Sequence, residues 1–330
     1  MIPRFTETAP WEAGFSAIYD AEIAPELGEV EAERQALRRT RNRRIAASVA
    51  IGLAAFVFAV AAIPPGDGRV IAFGFVPALT AFAIVASHFL GQAAYSDRLR
   101  NLVMPRAARL YGLAYDREAK GAPDVEPFER LGLLPKGELT LSDSVAGRHR
   151  DLDVALVEAR VRRRGGKGKR VLFRGLLLRV STETPAPTPI VIAPEHGGPL
   201  NALAAAFGRY GGGGLRRVET GLPTFERLFE LRAGDPDAAR AWLPASLLHG
   251  LVALAAEEAR WKGEPAVTAA FQGEAFYLAI RRNAPFLEPG ALGESVSGLE
   301  PHLHALLADL SLPQRLVDRL VGASADVDAA

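Results

Sequence analysis

Two long runs of apolar residues dominate the first third of the chain. Residues 45–63 and 70–94 contain no Asp, Glu, Lys or Arg, and only residues 64–69 separate the two runs. A helix rises about 1.5 Å per residue, so each run is long enough to cross the roughly 30 Å hydrocarbon core of a bilayer. A connector this short cannot hold a domain. The pattern therefore predicts a transmembrane helical hairpin over residues 45–94.

Arginine residues flank the hairpin at both of its ends. Five precede the first run and four follow the second, whereas the connector pairs one base, Arg69, with one acid, Asp67; the nine are Arg38, Arg39, Arg41, Arg43, Arg44, Arg98, Arg100, Arg106 and Arg109. Positive charge stays on the cytoplasmic side during insertion. We therefore expect a protein of the inner membrane that spans it twice, with both termini in the cytoplasm and the lipid bilayer as its first partner.

Two other interpretations of the apolar runs are weaker. A cleaved signal peptide is disfavoured because 44 residues precede the first run, and because that run is longer than the apolar part of a signal. Buried helices of a water-soluble fold are the main alternative, but uncharged runs of this length are rare in soluble cores.

The segments on either side of the hairpin are predicted to be helical. Residues 1–44 form a cytoplasmic N-terminal segment whose apolar positions recur at three- and four-residue steps, with a break expected at Pro25. Residues 95–136 continue as a short helix over 101–113 and then as a linker rich in Pro, Gly and charge. Phe128 and Leu131 are the expected docking points of this linker.

Residues 137–330 alternate between strand and helix signals. Alternating apolar and polar positions predict hairpins at 153–163 with 170–181 and at 266–270 with 275–281, together with strands at 190–193, at 215–219 and at the end of 225–232. Asp235 marks a helix start, Pro244 divides the helix over 238–259, and Pro313 is expected to interrupt the helices over 298–321. This order predicts an α+β cytoplasmic domain with a mostly antiparallel sheet and flanking helices.

Composition excludes several classes of function. The net charge is +1 and cysteine is absent, so neither a general attraction to nucleic acid nor a disulfide or thiolate metal site is expected. His302 and His304 stand two residues apart on a predicted helix, so their side chains point to different faces and cannot share one metal ion. The glycines around Gly165 lack the spacing of a phosphate loop. No cofactor and no metal are predicted.

The strongest local charge surrounds the turn of the first predicted hairpin. This basic tip consists of Arg162, Arg163, Arg164, Lys167, Lys169 and Arg170. A solvated hairpin end accounts for such a tip without any function. Contact with anionic lipid head groups or with a partner protein is the functional alternative, since each basic residue near an anionic surface adds about 1 kcal/mol.

Several short strings resemble a bacterial membrane-protein family known as domain of unknown function 3137. They are Phe15, Ile18, Tyr19, Ile23 and Pro25 with Glu31 and Arg34, and then residues 173–175, 225–230, 242–247, 276–280 and 286–288. The resemblance implies a two-span anchor with a cytoplasmic domain of unassigned activity. It supplies no catalytic residues.

These patterns favour a non-enzymatic, membrane-anchored binding or scaffold module. The first alternative is a membrane-bound enzyme whose site assembles from distant residues such as Glu195, His196, Asp235 and Asp237. A transporter or channel subunit is the third hypothesis, and it requires oligomerisation because two spans without an internal charge offer no ion path. The oligomeric state and the identity of a ligand or partner are left open.

Overall fold

A computed structural model describes residues 4–62, 67–163, 165, 170–194, 214–262, 266–282 and 295–320. The chain divides into two compact units. The first unit comprises Met1–Arg106 and Leu287–Ala305, and the second comprises Ala107–Phe286 and Leu306–Ala330. The boundaries expected at residues 44, 94 and 136 remain predictions.

The N-terminal part of the first unit is helical. A 3₁₀ turn at Pro10–Glu12 precedes α1 (Phe15–Ile18), a π turn at Tyr19–Ile23 and the long helix α2 (Ala24–Ala62). The expected break at Pro25 is therefore wrong. Pro25 has no N–H to donate, and the turn before it widens so that the Ala24 N–H donates to the Tyr19 carbonyl.

A second long helix, α3 (Asp67–Leu110), runs antiparallel to α2. Glu26 contacts Arg106, Glu33 contacts Arg98, and Gly52 approaches Thr80, so contacts advance along the two helices in opposite directions. The predicted pairing of two apolar helices is confirmed. The short helix expected after the second run is the uninterrupted end of α3.

The second unit contains one antiparallel sheet. The part of the chain that the structure describes contributes nine strands to it: β1 (Leu113–Asp116), β2 (Glu138–His149), β3 (Leu152–Arg162), β4 (Val171–Ser181), β5 (Ile190–Pro194), β6 (Arg216–Arg217), β7 (Phe229–Ala233), β8 (Ala266–Gln272) and β9 (Ala275–Arg281). Their order is β1-β2-β3-β4-β9-β8-β5-β7-β6. The predicted hairpins β3–β4 and β8–β9 are confirmed, and β4 pairs with β9 to join them.

Helices flank this sheet in the sequence, as the α+β prediction requires. They are α4 (Glu126–Arg130), α5 (Pro223–Glu226), α6 (Pro236–Trp242), α7 (Ala245–Lys262) and α8 (Glu300–Leu320), with a 3₁₀ turn at Val296–Gly298 before α8. The Asp235 carboxylate accepts hydrogen bonds from the backbone N–H groups of Asp237 and Ala238, which confirms the predicted helix start. The division at Pro244 is also confirmed, with a bend of 86° between α6 and α7.

Pro313 does not interrupt α8, contrary to expectation. Proline removes the backbone N–H that would bond the carbonyl four residues earlier. The Ser311 hydroxyl and the Arg315 guanidinium both donate to the Ala308 carbonyl, which lies five residues before the proline. The helix continues through Pro313 to Leu320.

The core of the second unit lies against the central strands. Phe128 and Leu131 are buried in a cluster with residues of β3, β4, β5, β8 and β9, and the Phe128 ring meets the Tyr277 ring edge-on at 5.1 Å. Their expected docking is confirmed. Strand β2 follows the linker that contains Phe128 and Leu131, and the sequence patterns did not predict this strand. Both β1 and β2 extend the sheet beyond the predicted hairpins.

Gly175 lies where β4 meets β9, and a Cβ added there would overlap the carbonyl oxygen of Ile280. We expect Gly175→Ala to destabilise the second unit by about 1–3 kcal/mol, because a strand backbone cannot move aside as a side-chain tip can. Amide exchange in β4 and β9 of the full chain should accelerate accordingly. Gly121→Ala is the matched control, since nothing lies within 4 Å of the added Cβ. Equal exchange in the two variants would contradict this prediction.

Candidate functional site

The most unusual surface of the protein is the apolar side of the helix pair. Its large hydrophobic side chains are exposed rather than buried, with Phe58 at 70% and Phe82 at 71%. The others are Val49, Ile51, Leu53, Phe56, Val57, Val60, Phe75, Leu79 and Val85. Such contiguous apolar exposure is unfavourable in water and marks a surface that meets another apolar phase. Both helices are long and apolar enough to cross a membrane.

A glycine permits the close approach of the two helices within this apolar region. A Cβ at Gly52 would overlap the Thr80 hydroxyl and lie 2.9 Å from its Cγ2. The Thr80 hydroxyl donates to the Val76 carbonyl within α3 at 2.9 Å, so it leaves no unsatisfied polar group at the contact. Small residues at a helix crossing are the usual means of pairing helices in lipid, where no hydrophobic force draws them together.

Ion pairs join the two helices outside the apolar region. Arg106 of α3 lies 3.5 Å from Glu22 and 2.7 Å from Glu26, and Arg98 lies 3.8 Å from Glu33. These side chains are partly exposed, so each pair contributes little free energy by itself. Their effect is to fix the register of α2 against α3.

Glu31 connects α2 to the turn that precedes α8. Its carboxylate accepts hydrogen bonds from Arg34, from Gln35 and from the backbone N–H of Val296. The hydrogen bond from Arg34 is the largest influence, and together these donors lower the pKa of Glu31 to about 2 despite the opposing effect of burial. The carboxylate therefore stays charged at any physiological pH.

His304 has a structural partner. Its Nδ1 lies 2.7 Å from Glu12, whose buried carboxylate also accepts from the backbone N–H groups of Thr8 and Ala9. Burial alone would raise the pKa of Glu12, but the donors from Thr8 and His304 outweigh it, and the pKa is lowered. Phe5 stacks at 4.7 Å from the His304 ring. The pair fixes the segment before α1 onto the start of α8.

The basic tip lies between β3 and β4, as predicted. Arg162 ends β3 opposite Glu138 of β2, and the backbone N–H of Arg163 donates to the Arg170 carbonyl at 3.0 Å. The side chains of Arg163 and Arg170 are exposed. The other three residues assigned to the tip, Arg164, Lys167 and Lys169, lie outside the described residues. The structure thus brings at least three of the six arginine and lysine residues to one end of the sheet.

A buried charge cluster in the second unit carries no signal in the sequence. The Arg282 guanidinium donates to Glu258 at 2.8 Å and to Asp309 at 2.6 Å, and all three side chains are less than 15% exposed. Burial alone would lower the pKa of Arg282, but the Asp309 and Glu258 carboxylates raise it. The arginine follows β9 and links it to α7 and α8. Three residues this far apart along the chain form no local pattern.

Of the candidates for a dispersed enzyme site, the described residues include Asp235 and Asp237, which both lie at the start of α6. Asp235 uses its carboxylate to cap α6, and Glu195 and His196 lie outside the described residues. His149 lies 2.9 Å from Asp318, which Arg150 also contacts at 2.6 Å, so this histidine belongs to an ion-paired cluster. Within the described ranges, no group of three or more His, Cys, Asp or Glu side chains is arranged to hold a metal ion.

Comparisons with known proteins add a family but not an activity. The family model described as "Protein of unknown function (DUF3137)" matches residues 171–321, which confirms the resemblance. No curated protein matches the chain. A crystal structure of the mycobacterial trehalose monomycolate transport factor A, TtfA, matches with 11% identity and a TM-score of 0.31, over 64% of this chain and 93% of that one. A likeness this small carries no argument, so the function must be argued from the chain's own residues.

We expect Gly52→Ala to loosen the helix pair, at a cost of about 1–3 kcal/mol, because the added Cβ overlaps Thr80. Since native cysteine is absent, spin labels on an Ile51→Cys, Ala81→Cys pair can report the interhelix distance, which should lengthen and broaden. Adding Thr80→Ala should restore it. Gly74→Ala, which meets nothing within 4 Å, is the control. An unchanged distance in the Gly52 variant would refute the close packing.

Proposed function

We propose that the chain is a membrane-anchored, non-enzymatic binding or scaffold module. The DUF3137 family model that matches residues 171–321 describes a protein of unknown function, so the proposal rests on the chain's own geometry. The observation that carries the proposal is the exposed apolar surface of α2 and α3. Moving one large apolar side chain out of water is worth about 1.5–3 kcal/mol. Eleven exposed side chains on one helix pair therefore favour lipid over water by a wide margin.

The orientation of this anchor follows from its flanking charges. Arginines stand before the apolar part of α2 and after that of α3, at the same end of the helix pair. Positive charge is retained in the cytoplasm during insertion. We propose an inner-membrane protein with two spans, in which both termini and the whole second unit are cytoplasmic.

A binding role is favoured over catalysis by how the charged side chains are used. In the described residues, every buried carboxylate has a structural partner: Glu12 with His304, Asp143 with the Tyr115 hydroxyl, Glu158 with Arg174, Glu230 with Arg232, and Glu258 with Arg282. A general acid or base needs freedom to exchange a proton with a substrate. None of the contacts in the described residues favours the enzyme hypothesis or the transporter hypothesis.

The basic tip is the surface of the second unit that we propose for contact with anionic groups. Arg163 and Arg170 are exposed and joined by a backbone hydrogen bond, so their charges are held close together. Since the chain is already tethered to a bilayer, anionic head groups of the inner leaflet are the partner always within reach. Such contact would orient the second unit rather than recruit it.

Arginine substitutions test whether lipid surrounds the helix pair. Leu53→Arg with Phe82→Arg should cost about 5–7 kcal/mol of insertion free energy, because each arginine near the bilayer centre costs about 2.5–3.5 kcal/mol. Val171→Arg with Leu228→Arg is the matched control, since both residues are also exposed but lie in the second unit. After alkaline washing of membranes, the control should stay in the pellet and the Leu53, Phe82 variant should be depleted.

If the unsubstituted full-length protein is found in the supernatant, or if both variants are depleted equally, the membrane anchor is disproved.

The orientation is tested by a separate measurement. A fluorescent reporter fused behind Ala330 should be active in the cytoplasm, and a periplasmic phosphatase reporter at the same position should be inactive. The reverse result would overturn the cytoplasmic assignment while leaving the anchor intact.

A probe at the sheet end tests the basic tip. An environment-sensitive dye on Gly165→Cys, in full-length protein reconstituted into nanodiscs, should shift to the blue when phosphatidylglycerol replaces part of the phosphatidylcholine. Arg163→Gln with Arg170→Gln should remove most of this shift, since about 1 kcal/mol per arginine is lost. Arg227→Gln with Arg240→Gln removes equal charge elsewhere and should not. If the dye's emission does not shift when phosphatidylglycerol is added, the tip is a solvated hairpin end.

A further inference from the structure

Five arginines form a collar around α2 immediately before its apolar run. They are Arg38, Arg39, Arg41, Arg43 and Arg44, and Ile45 begins the apolar residues directly after them. The helix is continuous from Ala24 to Ala62, so no turn or bend separates the collar from the apolar surface. The position of each arginine relative to that surface is therefore fixed by helix geometry.

The collar surrounds the helix instead of lining one side. Relative to Gly52, which marks the side toward α3, successive residues advance by about 100°. Arg43 then lies opposite α3, Arg39 about 140° from the side toward α3 and Arg44 about 80° from it. Arg38 and Arg41 lie within about 40° of the side toward α3. Four of the five side chains are exposed, and Arg41 is half-buried. The guanidinium groups thus point outward in several directions from one level of the helix.

No acidic partner neutralises this collar. The sequence has no Asp or Glu between Glu33 and Asp67, and the described residues place no carboxylate within 4 Å of the five guanidinium groups. Other arginines of the same unit are paired: Arg34 with Glu31 and Arg98 with Glu33, for example. The unpaired charge is concentrated at the boundary of the apolar surface.

The dimensions of the collar match a head-group layer. From Arg38 to Arg44 the helix rises about 9 Å, while the polar layer on each side of a bilayer is about 5–8 Å thick and long side chains extend along the surface. Guanidinium groups bind phosphate oxygens through paired hydrogen bonds. In the head-group layer, the anions nearest to the collar are the phosphodiester groups of the lipids.

We propose that the arginine collar is a binding site for anionic phospholipid head groups of the cytoplasmic leaflet. The proposal rests on the membrane anchor and deepens it, because retention of positive charge during insertion requires no bound lipid. Anionic phospholipids bound at the collar would lie along the sides of α2 that α3 does not cover. The site selects lipids by charge and by an accessible phosphate.

Native mass spectrometry of detergent-purified full-length protein can measure this selection directly. The probes are phosphatidylglycerol and phosphatidylcholine of the same chain length, titrated separately. We expect the first bound phosphatidylglycerol to have a dissociation constant at least tenfold below that of phosphatidylcholine, since each arginine near an anionic surface contributes a factor of about five.

Three triple variants separate the collar from general charge. Arg39→Gln, Arg43→Gln and Arg44→Gln should reduce the preference to near unity, and the corresponding Lys variants should retain most of it. Arg216→Gln, Arg227→Gln and Arg240→Gln remove the same charge from exposed positions of the second unit and should change nothing. Equal loss in both glutamine sets, or no preference in the natural chain, would overturn the site.

Two further measurements separate the collar site from a free-phosphate site and from the anchor alone. Millimolar glycerol phosphate should not displace phosphatidylglycerol, and displacement would overturn the head-group site in favour of a site for free phosphate. Insertion into nanodiscs of pure phosphatidylcholine tests the anchor alone. A chain that inserts there without preferring anionic lipid disproves the collar site but keeps the anchor, whereas a chain that does not insert disproves the anchor.

Discussion

The transfer of the α2–α3 apolar surface out of water is the interaction on which the rest of the arrangement depends. In a soluble fold, side chains such as Phe58 and Phe82 would pack against a core, but here they are the most exposed of the large hydrophobic residues described. Their burial in lipid would be worth far more than the few kcal/mol of any ion pair in the first unit. The ion pairs therefore do not hold the hairpin in place; they fix its register, and under our proposal the flanking arginines set its orientation.

Register and pairing come from contacts that the hydrophobic force cannot supply. Lipid solvates an apolar helix as well as another apolar helix does, so α2 and α3 need close packing and polar contacts to stay together. Within the apolar region, the close packing comes from Gly52 against Thr80. Outside it, the polar contacts come from Arg106 with Glu22 and Glu26. The two kinds of contact act at different depths, and both specify the same antiparallel alignment.

Local patterns predicted the elements whose stability is local. The apolar runs, the hairpins β3–β4 and β8–β9 and the Asp235 cap were all visible, because each is encoded within about thirty residues. Strands β1 and β2 were missed because each depends on a neighbouring strand for its pairing: β2 pairs with β3, and β1 pairs with β2. The breaks expected at Pro25 and Pro313 were wrong because the helical backbone continues through both prolines, at Pro25 directly after a π turn. The Arg282 cluster joins three distant segments, so only the folded chain reveals it.

The distribution of paired and unpaired arginines separates structural charge from charge that remains available. Several arginines have carboxylate partners, among them Arg34, Arg98, Arg106 and Arg282. Arg38, Arg39, Arg43 and Arg44 have no such partner in the described residues, although Glu29, Glu31 and Glu33 precede them on the same helix. An unpaired cluster of like charges destabilises a helix through mutual repulsion. At the edge of a bilayer, the phosphates of the lipid remove that repulsion, so the collar is stable only where the apolar surface beside it is also stable.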